Sequence, residues 1–178
     1  MVVADVTAQM VKDLRERTGA GIKECKDILT QTGGDIKQAI DLLREKGLKV
    51  SDKVQGREAN EGRIEVYVHP GSRMAALVEI DCETDFVART DDFIALAKDL
   101  ALHIAATNPR YLKIEDVPAE EIANSGEKAE KFYEQYVLMA QPFIKDGSRT
   151  IEEKVKETVA KVRENIVIRR FVRYEIGG

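Results

Sequence analysis

The sequence predicts an α+β protein: a three-helix module at the N-terminus, then a three-stranded antiparallel sheet with helices packed on one face. Three observations carry this expectation. Apolar residues recur with the helical period over residues 5–47, and glycines separate the runs. The period changes to two over residues 64–82 and again over 166–176. Between those stretches the helical period returns, which leaves helices to cover the sheet.

In the first run Met10, Val11 and Leu14 share one face, and Gly19 supplies a left-handed cap. The second carries Ile22, Cys25, Ile28 and Leu29 and stops at Gly33-Gly34. The third opens at Asp35, an N-cap with Gln38 in capping-box spacing, shows Ile36, Ala39, Ile40 and Leu43, and ends at Gly47. Each helix has one apolar stripe, so the three must bury against one another. Residues 1–50 are therefore read as the module. From Leu48 to Gly62 apolar content falls, and Lys49, Asp52, Lys53, Arg57, Glu58 and Glu61 follow one another. This is a linker or a solvated helix, placed at 51–62, with the α+β core at 63–178.

Ile64, Val66 and Val68 alternate with Glu65, Tyr67 and His69, giving one half-buried strand with the aliphatic residues inward. Pro70-Gly71-Ser72 makes the turn, and a second strand from about Met74 to Cys82 sends Ala76, Val78, Ile80 and Cys82 to one face. Asp91 or Asp92 caps a helix from Phe93 to about Ala106, whose Phe93, Leu96, Ala97, Leu100 and Ile104 cover the sheet. Pro118 fits the first turn of a short helix, and another spans about 127–140 through Phe132, Tyr136 and Val137. Thr150-Ile151-Glu152-Glu153 is a capping box for a helix with Val155, Val159 and Val162 inward. The last strand, about 166–176, places Ile168, Val172 and Tyr174 on one side. No segment repeats.

Composition narrows the function. The 178 residues are 43% hydrophobic and 34% charged, with 28 basic against 32 acidic side chains and a net charge of −4. General nucleic-acid binding draws on a basic surface, so direct nucleic-acid contact is not expected. Cys25 and Cys82 lie far apart without a CxxC partner, which fits free buried thiols in a reducing compartment rather than a zinc site or disulfide. Met1–Asp5 lacks the pattern of an export signal, and no stretch approaches the roughly 20 apolar residues of a membrane span. The expectation is a cytoplasmic protein with no membrane contact and no cofactor.

Four candidate sites stand out. Glu79, Asp81, Glu83 and Asp85 occupy alternate positions, so an extended strand would align their carboxylates for a divalent cation or acid–base work, or simply face them to solvent. Gly19-Ala20-Gly21 lacks the GxxxxGK pattern of a phosphate loop and fits a helix–helix turn. Arg169, Arg170 and Arg173 surround Phe171 on the last strand, able to touch phosphate or to protect a sheet edge, while His69 and His103 stand singly. Thr84-Asp85-Phe86-Val87 sets an aromatic after an acidic run and before a helix cap, either as an exposed anchor for a partner's pocket or folded onto the core.

Leu14-Arg15-Glu16-Arg17-Thr18-Gly19-Ala20-Gly21 followed by Cys25-Lys26, and Glu79 to Arg89 around Thr84-Asp85-Phe86-Val87, resemble the two signatures of the elongation factor Ts family. Gln141 to Asp146 and Asn165 to Phe171 are similar to its later segments, so the likeness runs in order from about residue 4 to 176. The resemblance implies a ubiquitin-associated-like module and an α+β core. It also implies a partner, elongation factor Tu in its GDP-bound and nucleotide-free forms, and guanine nucleotide exchange without covalent chemistry. Asp85 and Phe86, flanked by Thr84 and Val87, would insert beside the partner's magnesium and nucleotide. Arg15, Gly19, Ala20, Gly21, Ile22 and Lys23 would meet its nucleotide-binding domain, although relatives carry methionine-like bulk where this chain has Lys23. Long members carry two core subdomains, while this chain has one. A symmetric homodimer is thereby implied, to which an available sheet edge is suited. The short segment between Ile122 and Lys128 leaves little room for a coiled-coil protrusion. Two other readings stand beside this one: an adaptor binding peptides through the module, and a metalloenzyme using Asp81, Glu83 and Asp85.

Overall fold

Capping side chains and glycines divide the first third of the chain into helices. The computed structural model describes residues 6–177 (for Leu48, the backbone alone), so the reading of Met1–Asp5 lies outside the described residues. Helix α1 spans Ala8–Thr18, with the Thr7 hydroxyl accepting from the Met10 N–H at 3.2 Å and Gly19 closing it at φ +68°. Helix α2 spans Ile22–Gln31, and α3 spans Ile36–Val54 with Asp35 accepting from the Gln38 N–H at 3.0 Å. Leu14, Cys25, Ile28, Leu29, Ala39 and Leu43 form a buried cluster of their own, with no aromatic ring in it.

The expected stop at Gly47 does not occur. Helix α3 continues to Val54 because its second half has a surface to cover, the flank of α8 (Ile151–Val162). A Cβ at Gly47 would meet the Ala160 Cβ at 3.1 Å, so this glycine permits close helix approach instead of ending the helix. Val54, at the far end, is buried in the core of the sheet domain.

Strands β1 (Glu61–Val68), β2 (Met74–Cys82) and β5 (Val167–Glu175) form an antiparallel sheet in the order β1-β2-β5. Pro70 and Gly71 occupy the middle of the hairpin turn, with Gly71 at φ +90° as a type II turn requires and Ser72 N–H bonded to His69 O at 2.9 Å. Helix α5 (Asp91–Thr107) crosses the inner face, burying Phe93, Leu96, Ala97, Leu100 and Ile104 against Ala76, Val78, Ile80 and Cys82. Its cap is Thr90, whose hydroxyl accepts from the Phe93 N–H at 3.4 Å, and not Asp91 or Asp92. Helix α8 packs on α5 through Ile151, Val155 and Val159, and its capping box forms as read: Thr150 and Glu153 exchange bonds of 2.9 and 3.2 Å.

Between α5 and α8 lie α6 (Ala119–Ser125), α7 (Ala129–Tyr136), a 3₁₀ turn at Leu138–Ala140 and a small hairpin, β3 (Pro142–Phe143) with β4 (Asp146–Thr150). The single helix expected over 127–140 breaks at Val137, whose extended backbone bridges Tyr111.

One side-chain assignment reverses and another splits. Ile64, Val66 and Val68 are exposed, and Arg63, Glu65 and Tyr67 turn towards the helices. The register decides it: Ile64, Val66 and Val68 pair with Glu79, Leu77 and Ala75, on the face opposite Val78 and Ile80. On β5 a bulge separates the Ile80–Ile168 pair from the Glu79–Arg170 pair, so Ile168 points inward while Val172 and Tyr174 point out. The open face of the sheet consequently carries Ile64, Val66, Val68, Leu77, Val172 and Tyr174, with the Glu79–Arg170 ion pair beside Ile64.

Candidate partner-binding site

Alternate carboxylates do not converge. Glu79 pairs with Arg170 and Asp81 with Arg169, while Glu83 meets Arg57 at 3.5 Å and accepts the Asn165 N–H at 2.7 Å. Asp85 lies beyond the strand, in α4 (Asp85–Ala88), paired with Arg89 at 2.9 Å. Among the described residues no three His, Cys, Asp or Glu side chains are grouped to hold a metal ion. The arginines of β5 are similarly engaged, Arg173 with the Ala105 carbonyl and Glu175. His103 is buried and takes the neutral form with Nε2–H donating to Gln141 Oε1 at 2.9 Å, since Nδ1 accepts the Ile144 N–H at 3.3 Å.

Phe86 is different. It is 77% exposed, the most exposed large apolar side chain among the described residues. It sits on a single helical turn in which Thr84 is the N-cap, its hydroxyl accepting the Val87 N–H at 3.3 Å. One turn divides its four residues at about 100° each, so Val87 and Ala88 enter the core while Asp85 and Phe86 project outward. Thr84 and Val87 thus hold the turn, and Asp85 and Phe86 are the groups it offers. Behind it, the buried Cys82 thiol donates to the Thr84 carbonyl at 3.1 Å; burial pushes this thiol up to about 11, so it stays a protonated donor.

The N-terminal candidates lie on the module's surface. Arg15, Gly19, Gly21, Ile22 and Lys23 are exposed, Ala20 is half-buried, and Ile22 at the start of α2 is 60% exposed. Gly19 lies beside α8: a Cβ there would overlap the flexible end of the Lys161 side chain, and Lys161 in turn reaches Asp92 at 3.5 Å. Beside this contact runs an open groove of about 680 Å³ between the module and α8. Its cations are largely neutralised, Arg44 by Glu153 at 3.4 Å and Arg149 by Asp146 at 2.8 Å.

The sequence reading missed Glu164. Its carboxylate accepts the Thr84 N–H at 3.0 Å and the Thr84 hydroxyl at 2.7 Å. Lys161 lies in the last turn of α8 and Glu164 just beyond its end, so the module loop and the Phe86 turn both approach the end of α8. The only local signal was a polar pair, Glu164-Asn165, directly after a helix end.

The arrangement sets an exposed aromatic on a capped turn whose other face is core, a geometry suited to docking. The family model described as Elongation factor TS matches residues 2–130. The Elongation factor Ts of Herpetosiphon aurantiacus is 52% identical, over 97% of this chain and 98% of that protein. Those of Heliobacterium modesticaldum and Desulforamulus reducens are 46% and 45% identical, over 97% and 98% of this chain and 90% and 91% of theirs.

Proposed function

The chain belongs to the elongation factor Ts family, which serves nucleotide exchange in translation elongation, and on that premise we propose that it binds elongation factor Tu and speeds GDP release. The observation that carries the reading is Phe86, held 77% exposed on a capped turn whose other face is core. A partner pocket receives such a ring at little entropic cost, because the turn is ordered before contact. Wedging Phe86, with Asp85, beside the partner's magnesium disturbs the ion that neutralises the GDP phosphates. Linkage supplies the rest: a factor that binds the nucleotide-free partner more tightly than the GDP-bound one weakens GDP by the same factor. No bond is made or broken, so the protein acts through contacts and without a cofactor. Residues 1–50 contribute a second contact through Arg15, Ile22 and Lys23. The protein acts in the cytoplasm, where elongation occurs; no helix among the described residues is long and apolar enough to cross a membrane.

The homodimer reading finds support in the open face of the sheet more than in its edge. Ile64, Val66, Val68, Val172 and Tyr174 leave an aliphatic and aromatic surface uncovered, with Ile64 at 62% and Tyr174 at 67% exposure. A second copy with the same face covers it by two-fold symmetry.

The deciding experiment is the release rate of a fluorescent GDP analogue from elongation factor Tu, with wild-type protein and with Phe86→Ala. The reading expects strong acceleration by the wild type and a loss of at least about tenfold in the variant. Acceleration that survives the substitution would move the mechanism to the module. No acceleration at all would leave the adaptor reading.

A further inference from the structure

We propose that Glu164 is a positioning residue for nucleotide exchange, fixing the direction in which the Asp85–Phe86 turn meets the partner. The proposal rests on the exchange reading above. Phe86 is almost bare of contacts, so its direction is set by the backbone of residues 84–88 and by whatever holds that backbone. On the inner side Val87 and Ala88 are buried. Besides the buried Cys82 thiol on the Thr84 carbonyl, the side chain from another element that reaches Thr84 among the described hydrogen bonds is Glu164. It takes both donors of that residue, the N–H at 3.0 Å and the hydroxyl at 2.7 Å. With its proton committed to Glu164, the Thr84 oxygen turns a lone pair to the Val87 N–H at 3.3 Å. The cap of the turn is therefore oriented by a residue 80 positions away in the chain.

Glu164 is itself well placed. Arg163 ends α8 in the left-handed region, at φ +61°, and sends the chain back towards β2. Asn165 then donates its N–H to Glu83 at 2.7 Å and its side-chain amide to the Arg57 carbonyl at 2.7 Å. Residues 83–84 and 164–165 thus grip each other through carboxylates on both sides. Charged acceptors give the stronger class of hydrogen bond, so the grip is suited to holding a strand end that receives a load. Freeing it restores conformations that the partner would have to select against.

The test is a four-corner comparison of kcat/KM for GDP release from elongation factor Tu. The corners are wild type, Glu164→Ala, the tip variant Asp85→Ala with Phe86→Ala, and all three substitutions together. Glu164→Ala should cost about tenfold in the wild-type background and nothing further in the tip variant. Equal losses in both backgrounds would show a merely structural role and overturn the proposal, as would no loss in either. Glu164→Gln keeps an acceptor for the hydroxyl but sets an N–H against the Thr84 N–H, so an intermediate loss is expected. Amide hydrogen exchange reads the grip without the partner: Val87 should exchange faster in Glu164→Ala while the α5 amides keep their protection. Unchanged exchange at Val87 would sink the positioning role. Should the wild type fail to accelerate GDP release, the exchange reading falls, and the Val87 amide still judges the grip.

Discussion

The Gly19–Lys23 loop of the module and the Thr84–Ala88 turn of the core both present exposed apolar side chains, yet they are supported in opposite ways. Ile22 begins a helix whose N-cap, Gly21, offers no side-chain acceptor. Its backing is the small aliphatic cluster around Leu14 and Leu29. Phe86 sits on a turn capped by Thr84, gripped by Glu164 and backed by a core that includes Phe93, Leu100 and Phe143. The difference teaches that exposure alone does not make a wedge. The proposed wedge needs a backbone that resists displacement, and of the two segments only the core turn carries a side-chain N-cap and a carboxylate tether from a distant element.

The largest effects should separate the two cores. Phe93→Ala should cost about 3–5 kcal/mol and lower the main unfolding transition, because that ring is fully buried under the sheet. Leu29→Ala should cost about 2–5 kcal/mol but fall chiefly on the module, read as loss of amide protection in α1 and α2 while α5 stays protected. Loss of protection everywhere in Leu29→Ala would break the comparison by showing one cooperative core.

Next come the exposed side chains themselves. Phe86→Ala should lower GDP release by about tenfold or more with the melting temperature unchanged, whereas Ile22→Ala should cost only a few-fold. The reverse order would place the wedge on the module. Val66→Lys on the open sheet face should leave the fold intact and convert a dimer to monomer in sedimentation equilibrium. A smaller effect concerns pH. Burial pushes His103 below its ordinary value, opposed in part by its bond to Gln141. The folded state therefore binds this proton less readily than the unfolded chain does. Stability is complete above about pH 6.5 and is lost as pH falls below it, by up to about 1.4 kcal/mol per pH unit. The expected readout is a melting temperature that declines from pH 7 to 5, with the decline reduced in His103→Gln. The smallest is Arg163→Gly, which relieves a left-handed non-glycine residue and should gain about 1 kcal/mol, or about 2–4 °C.

Much of this was legible in the chain. The Asp35 and Thr150 N-caps form, the Thr150 one as a reciprocal box with Glu153 and the Asp35 one by its own acceptance of the Gln38 N–H alone, because a side-chain acceptor three residues ahead of an N–H is a local matter. The apolar faces of α5 and β2 were equally readable, since their inward positions are apolar save for His103. The β3–β4 hairpin was not, because Asp146-Gly147-Ser148 shows no alternation. The four-residue signature around Phe86 pointed to the candidate site, but two fates for the ring were open until the packing of Val87 and Ala88 left it exposed.

The sequence by itself determined periods, caps and turns, all of which depend on residues within about one helical turn of each other. Tertiary structure alone decided three things: which face of β1 is covered, where α3 ends, and what holds the Phe86 turn. A period of two states that side chains alternate and is silent on which set lies inside; pairing with β2 chose Arg63, Glu65 and Tyr67 for β1. Gly47 reads as a stop until α8 lies against it. Glu164 and Thr84 become neighbours only when α8 returns its end to the sheet, across 80 residues of chain. Long-range contacts of this kind are set by how the layers stack, and no local spacing encodes them.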